Sequence, residues 1–362
     1  MTTFMTGFPG FLGSALLPRI LRRTDGNAVC LVQSKFAAGA QRRVDELCAD
    51  DPALQGRIQL VEGDITKPGL GLDPAVLDGV TEAWHLAAIY DLAVAHDVAT
   101  RVNVDGTRNV LDALERHSTM TRLHYFSTCY VSGRYAGPFA EDDLDVGAPF
   151  NNYYEATKHL AEADVRRRMA AGMPATIYRP SIVIGDSTTG ETQKYDGPYF
   201  ILQLLIRQPR YAVLPVVGDP TVTRMNLVPR DFVIEAVDHL SSLAVSEGRT
   251  YQLADPAPLT IDELTDLLAE ATDRKLVKIP LPRKLATTSV AHIPGLEHLL
   301  RIPPESIDYF APPTHYLTDH TQRFIARQFG FRQLGPTGVI VKMPGHQGNV
   351  YIARFTNGFA VI

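Results

Sequence analysis

Short apolar runs alternate with stretches of helical periodicity through the first half of the chain. Thr3 to Thr6, Ala28 to Gln33, Arg57 to Glu62, Ala83 to Ala88, Leu123 to Ser127 and Ala175 to Tyr178 have strand length and strand composition. Between them, Gly13 to Arg23, Ala37 to Cys48 and Val102 to Arg116 repeat apolar residues near helical spacing. Strand and helix in alternation predict an α/β fold, a Rossmann-type doubly wound parallel sheet. Beyond residue 185 the pattern changes. Gly, Pro and Thr cluster in Gly185 to Pro198, and prolines recur at Pro209, Pro215, Pro220 and Pro229. Thr260 with Glu263 three residues on is a capping-box signature for a later helix, Leu259 to Ala271. The expected organisation is a dinucleotide-binding core over 1–185, to which 222–255 return. A smaller, mostly C-terminal substrate-binding lobe takes 186–221 and 256–334, and a hairpin-like tail of unknown role takes 335–362.

Composition narrows the classes. Over 362 residues, 45% hydrophobic and 21% charged positions are ordinary for a globular chain and poor for a disordered or fibrous one. A formal net charge of -5 supplies no basic field for a nucleic-acid backbone. Three isolated cysteines, Cys30, Cys48 and Cys129, have neither metal-ligand nor disulfide-framework spacing. No run of about 18 apolar residues is present, and the first residues carry no basic leader pattern. The expectation is a cytoplasmic protein with a small-molecule substrate.

The first strand runs directly into Thr6-Gly7-Phe8-Pro9-Gly10-Phe11-Leu12-Gly13 and then a helix. Glycines placed between strand and helix allow a tight turn, close backbone approach and close helix packing, so this turn is a candidate pyrophosphate cradle. At the end of the second strand, an enzyme preferring NAD usually carries a carboxylate for the ribose 2′-hydroxyl. Here the residues are Gln33, Ser34 and Lys35, with Arg42 and Arg43 on the next helix. A hydroxyl and cations suit a 2′-phosphate, so NADP(H) is favoured and NAD(H) remains possible. Asp64, after the third strand, is a candidate partner for the adenine amino group.

Tyr154 and Lys158 stand four residues apart, on one face of a helix. A cation near a phenol stabilises the phenolate and brings a weak acid towards the working range. Upstream, Ser127 and Thr128 close a strand, where a hydroxyl can point into the crevice at the sheet's carboxyl edge. Thr128 is the preferred residue to hold a substrate oxygen, with Ser127 as the alternative.

Five phrases in order, the glycine turn, His85-Leu86-Ala87-Ala88, Ser127 to Gly133, Tyr154 to Lys158 and Tyr178 to Gly185, resemble an extended short-chain dehydrogenase/reductase over roughly residues 1–330. The resemblance implies that Thr128, Tyr154 and Lys158 are the catalytic set and that Asn103 supports it. It also implies that Pro180, Ser181 and Val183 border the nicotinamide, and that Ile65, Ala87 and Ala88 line the cofactor. Phe150 to Tyr154, Gly185 to Gly190 and Leu227 to Val233 further resemble the thioester reductase and fatty acyl-CoA reductase branch. The implied activity is NADPH-dependent reduction of a carbonyl or an acyl thioester. With no adenylation or carrier domain ahead of the reductase in this sequence, the thioester is expected to arrive in trans.

Other readings are a sugar-nucleotide epimerase or dehydratase with bound NAD, a hydroxysteroid or dihydroflavonol-type dehydrogenase, and a non-catalytic NADP sensor. Tyr90, Tyr130, Phe150, Tyr195, Tyr199 and Met225 are candidates to line an apolar substrate cleft, or to fill core. His85 and His96 have no ligand cluster around them, so no metal site is expected. The sequence leaves the oligomeric state open.

Overall fold

The computed structural model describes residues 1–193, 195, 197–281 and 313–329, and the strands within 337–360. Residues 194, 196, 282–312 and 330–334 of the expected second lobe lie outside the described residues, as do 335–336, 343–348, 356–357 and 361–362 of the expected tail. Strands β1 (Thr2–Thr6), β2 (Asn27–Val32), β3 (Ile58–Glu62), β4 (Val80–His85), β5 (Arg122–Phe126), β6 (Ala175–Pro180) and β7 (Thr250–Leu253) form one seven-stranded sheet. Its order is β7-β6-β5-β4-β1-β2-β3, every pairing parallel. Crossovers run through helices α1 (Gly13–Arg22), α2 (Ala37–Asp50), α3 (Gly106–His117), α4 (Tyr153–Ala170) and α6 (Arg230–Ser242). The order reverses between β1 and β4, so the crevice over their carboxyl ends is where a ligand of a doubly wound sheet sits.

Successive strand residues point to opposite faces, and the two faces bury separate cores. Met5, Phe126 and Tyr178 pack with Leu16, Leu17 and Ile20 of α1 and with Val237 and Leu240 of α6. Their neighbours Phe4, Tyr125 and Ile177 pack with Val110, Leu111 and Leu114 of α3 and with Ala161 and Val165 of α4. A third cluster lies in the other lobe, where α5 (Pro198–Ile206) and α7 (Ile261–Ala271) bring Tyr199, Leu202, Leu205, Leu264 and Leu268 together with Met225. The capping box of α7 forms as the sequence predicts, Thr260 and Glu263 bonding reciprocally. Helix α8 (Asp319–Phe329) returns to the core, where buried Glu141 accepts from the amides of His320 and Thr321. In the tail, Thr337–Lys342 and Asn349–Phe355 pair antiparallel.

Two elements differ from the sequence pattern. The fourth strand stops at His85, three residues before the apolar run ends, because Leu86 crosses directly beneath the glycine turn, its amide bonding to the Thr6 carbonyl at 3.2 Å. The helix before β5 begins earlier, at His96, and passes through a π-helical turn over Thr100–Asp105 before α3. Asn103 sits in that turn, and such wide turns are frequent where a helix serves a site.

Candidate active site

The glycine turn is shaped by contacts that exclude side chains. Gly7 has φ +91°, and a Cβ there would lie 2.8 Å from Leu86, so only glycine fits both the conformation and the crossing chain. At Gly13 a Cβ would lie 2.7 Å from the Gly7 carbonyl oxygen, which lets the first turn of α1 press onto the loop. Gly10 is exposed at the tip and donates its amide to Gly7 at 2.9 Å. Leu12 caps α1 without any side-chain acceptor, and the first turn holds no acid. The Ser14 and Ala15 amides turn back to the Gly10 and Leu12 carbonyls at 2.9 and 3.2 Å, so the positive end of the helix faces the crevice with no side-chain acceptor competing for it, a setting that favours an anion. Pro9 takes the Ser14 hydroxyl on its carbonyl at 2.8 Å, and half-buried Phe11 lies 5.1 Å under the Arg230 guanidinium. Phe8 is different: its ring is in the core under the sheet, leaving only backbone to face a ligand.

The end of the crevice over β2 and β3, expected to take the adenosine, is more open. Ser34, Lys35 and Arg42 are exposed, and Lys35 reaches over the Phe36 ring at 4.9 Å. Arg43 bonds Glu46 at 2.8 Å, yet its Nε is buried without a hydrogen-bond partner. Ser34 donates its hydroxyl to Glu62 at 2.5 Å. Sequence reasoning missed Glu62. The parallel register that sets Val32 opposite Glu62 is what brings this carboxylate to the end of β2. Asp64 accepts from the amide and hydroxyl of Thr66 at 2.9 and 2.8 Å. Burial works to raise its carboxyl, but those bonds and the nearby Gln33 hold it below the ordinary range. Ile65 is buried against Gly106, and Asn109 donates to its carbonyl at 2.8 Å.

Behind the turn, His85 is a structural bridge. It contacts the Thr6 hydroxyl at 2.7 Å and the Thr107 hydroxyl at 3.0 Å, and burial, aided by the charge of Lys158, pushes its imidazole down to about 3. It is neutral at any ordinary pH. Ala87 and Ala88 follow it into the crevice, Ala87 bonding the Thr6 hydroxyl at 3.2 Å. Asn103 grips the same segment: it accepts from the Ile89 amide at 2.9 Å and donates to the Thr157 hydroxyl at 3.1 Å. It thus fixes the loop after β4 to α4.

Asn152 caps α4 through the Glu155 amide at 2.9 Å, which sets the phase of the helix. Tyr154, Lys158 and Glu162 then form a stripe one turn apart. Three consecutive residues at the end of β5 meet them. The Phe126 carbonyl accepts from Lys158 at 2.6 Å and the Ser127 hydroxyl donates to Glu162 at 2.5 Å, while the Thr128 hydroxyl lies near enough to the Tyr154 phenol to lower its titration. The Ser127 hydroxyl is thus committed to Glu162, while Thr128 is the neighbour that acts on Tyr154. Thr128 also reaches the Pro180 carbonyl at 3.4 Å, and Tyr90 sets its ring edge-on to Tyr154 at 5.0 Å.

Burial governs the electrostatics of this stripe. It raises the Tyr154 phenol well above its usual value, against the nearby Thr128 hydroxyl, with the Glu155 charge adding to the rise. It brings the Lys158 ammonium down to about 7, with Glu162 acting the other way. Lys158 directs two of its three N–H groups to the Phe126 carbonyl and, at 3.1 Å, to the Tyr125 hydroxyl. Burial also works to raise Glu162, but the Arg179 guanidinium at 2.6 Å, Arg166 at 2.8 Å and Ser127 bring it down to about 2. Ser181 follows Pro180 into the crevice; its amide bonds the Leu253 carbonyl at 3.1 Å, while its hydroxyl is buried without a partner. Half-buried Val183 lies in the short strand Ile182–Ile184, which pairs with Leu227–Pro229.

Of the aromatic candidates, Tyr90 reaches the site through Tyr154. Tyr130, Tyr199 and Met225 are buried together in the third hydrophobic cluster. Tyr195 packs on Tyr199 at 5.6 Å and Phe150 on His159 at 5.0 Å, while His96 lies edge-on to Tyr153 at 4.9 Å. Among the described residues no group of three or more His, Cys, Asp or Glu could hold a metal ion, and no helix is long and apolar enough to cross a membrane.

Residues 5–237, which contain the turn and the whole stripe, match the family model described as male sterility protein. The chain belongs to the male sterility protein family. It is thereby an oxidoreductase of the extended short-chain dehydrogenase/reductase type with an NAD(P)-binding Rossmann core, as the sequence motifs imply. Among curated relatives in and around this family, the nonribosomal peptide synthetase asaC of Aspergillus flavus is 28% identical over 284 residues, 73% of this chain and 27% of that protein. Fatty acyl-CoA reductase wat of Drosophila melanogaster is 26% identical over 276 residues, 65% of this chain and 52% of the relative. The chain thus spans about a quarter of the first and half of the second. Among solved structures, the terminal R domain from the myxalamid PKS-NRPS biosynthetic pathway matches with TM-score 0.74 and 30% identity, covering 90% of this chain and 84% of that one. UDP-glucuronic acid 4-epimerase from Bacillus cereus, at TM-score 0.60 and 20% identity over 89% of this chain and 97% of its own, shares the fold.

Proposed function

We propose that this chain reduces a carbonyl or an acyl thioester, takes NADPH in preference to NADH, and uses Thr128, Tyr154 and Lys158 as its catalytic set. The observation that carries the reading is the shared burial of Thr128, Tyr154 and Lys158 at the end of β5, where Lys158 bonds the Phe126 carbonyl and the Ser127 hydroxyl is turned away to Glu162. The residues present fit a dinucleotide. The turn from Gly7 to Gly13 leaves space only for backbone, the first turn of α1 has no side-chain acceptor, and Arg43 Nε and Ser181 Oγ are buried donors without partners. The pyrophosphate would rest on Gly7, Phe8, Pro9, Gly10, Phe11, Leu12 and Gly13 through their backbone. Ser34, Lys35, Arg42 and Arg43 would hold a 2′-phosphate, Asp64, Ile65, Ala87 and Ala88 the adenosine side, and Pro180, Ser181 and Val183 the nicotinamide side. When bound, NADPH supplies the hydride.

Thr128 donates to the substrate oxygen and orients it, while Tyr154, neutral and protonated at working pH, delivers its proton to that oxygen as charge develops there. The phenolate left behind is stabilised by Lys158, whose third N–H is not taken by Tyr125 or Phe126. Asn103 keeps the loop after β4 in place through Ile89. For a thioester, addition of hydride and proton gives a hemithioacetal, whose collapse releases a thiol and an aldehyde. The names of the relatives, a fatty acyl-CoA reductase and R domains of carrier-linked assembly lines, support an acyl chain on a thiol carrier as the substrate class.

The test is consumption of NADPH against panels of acyl-CoA thioesters, aldehydes, steroids and sugar nucleotides, with Tyr154→Phe as the control. The expected result is turnover of a thioester or an aldehyde, lost on the order of 10²- to 10⁴-fold in the variant while NADPH still binds. Sugar-nucleotide interconversion by purified protein that retains NAD, without net NADPH loss, would replace this reading with an epimerase.

A further inference from the structure

The adenosine end contains a charge that the sequence pattern hides. β2 ends without an acid, yet the two polar residues after it face carboxylates from the end of β3: Ser34 bonds Glu62 at 2.5 Å, and Gln33 lies near enough to Asp64 to lower its carboxyl. The pairing is fixed by the ladder, in which Val32 stands opposite Glu62 and the Gly63 amide bonds the Val32 carbonyl at 3.0 Å. Asp64 is turned inward on Thr66. Glu62 is exposed, and among the described residues no cation lies within ion-pairing distance of it. The nearby cations are directed elsewhere, Lys35 over Phe36 and Arg43 to Glu46.

We propose that Glu62 is a specificity-determining residue of the dinucleotide site, an acid delivered by the neighbouring strand to the place where β2 lacks one. This rests on the reading of the glycine turn as a dinucleotide site. A ribose 2′-hydroxyl can donate to Glu62, as it does to an acid at the end of the second strand in NAD-preferring folds. A 2′-phosphate gains Lys35, Arg42 and Arg43 but meets the Glu62 charge and must compete with it for the Ser34 hydroxyl. Glu62 therefore narrows the preference for NADPH and leaves NADH a usable cofactor.

The experiment compares adenosine 2′,5′-bisphosphate with 5′-AMP, and NADP⁺ with NAD⁺, by calorimetry on the wild type, Glu62→Gln and Glu62→Ala. Glu235→Gln serves as a control for a charge removed elsewhere. The fragments differ only at the 2′ position, so their ratio reports this contact without any turnover. Both Glu62 variants should tighten the 2′-phosphorylated ligand about two- to fivefold, weaken or leave unchanged its partner, and lose part of the gain at high salt. Equal changes in both ligands, or an unchanged ratio, would overturn the role of Glu62. Failure of the wild type to bind either dinucleotide would instead overturn the dinucleotide site itself.

Discussion

The two ends of the crevice are built on opposite plans. At the proposed catalytic end, Phe126 and Ser127 bond Lys158 and Glu162 of the α4 stripe, Thr128 lies beside Tyr154, and beneath them Glu162 and Arg179 are both 0% exposed. At the adenosine end, Ser34, Lys35, Arg42 and Glu62 are exposed and held by one contact each or none. The first end is over-determined, so its geometry survives small disturbances and collapses under large ones. The second is a balance of screened charges, adjustable by single substitutions at little cost to the fold. Chemistry and cofactor choice are thus separable in this molecule.

The largest break in that contrast is Arg179→Met. Removing the guanidinium strands the Glu162 carboxylate at zero exposure, with only Arg166 and Ser127 left to satisfy it. Such an orphaned charge costs about 3–5 kcal/mol. Urea denaturation should show that loss, and the double variant Arg179→Met with Glu162→Leu should regain much of it. A single variant as stable as wild type would mean the pair does not anchor the end of β5.

The adjacent hydroxyls sharpen the same picture at smaller scale. Thr128→Val removes the hydroxyl beside Tyr154 and should lower turnover roughly tenfold to a hundredfold with little change in stability. Ser127→Ala removes the donor to Glu162 and should do the reverse, costing about 1–3 kcal/mol of stability while most turnover survives. If the two variants exchange their effects, the assignment of Thr128 fails.

The sequence makes one of these ends much easier to read than the other. Strand and helix alternation, the glycines around Phe8 and the four-residue spacing of Tyr154 and Lys158 are local signals, and they predict the sheet, the turn and the phase of α4. Choosing Thr128 over Ser127 needs the facing helix, since both are polar residues at one strand end. Glu62 and the Glu162–Arg179 pair are set by strand register and by packing of β6 against α4, which no local pattern encodes. The early end of β4 results from Leu86 crossing under Gly7, a contact between residues far apart in the chain.

Buried titrating groups at the catalytic end predict a pH signature. Burial brings Lys158 down to about 7 from an ordinary value of 10.5, so between these values the unfolded chain binds more protons and stability rises with pH. Burial raises Glu155 to about 7 from 4.5, so between these values the folded chain binds more protons and stability falls with pH. Each contributes a slope of at most about 1.4 kcal/mol per pH unit within its window. In the cofactor-free protein, Lys158→Met should remove the rise above pH 7 and Glu155→Gln the fall below it. Denaturation curves unchanged in both windows would show that neither group is as dry as its surroundings imply.

The smallest effect is expected at the exposed end, where solvent screens every charge. Lys35 and Arg42 are solvated charges without ion-pair partners among the described residues, so each contributes to a 2′-phosphate through a screened field, about 1 kcal/mol or less. Lys35→Ala and Arg42→Ala should each weaken NADP⁺ binding about two- to fivefold. Both should leave NAD⁺ binding and thermal stability unchanged and lose most of their effect as salt is raised. Arg43, with its buried Nε, should be more costly to remove and less sensitive to salt. If Lys35 or Arg42 instead behaves like Arg43, the rim is not a loose balance but a preformed phosphate pocket, and exposure alone no longer separates chemistry from cofactor choice.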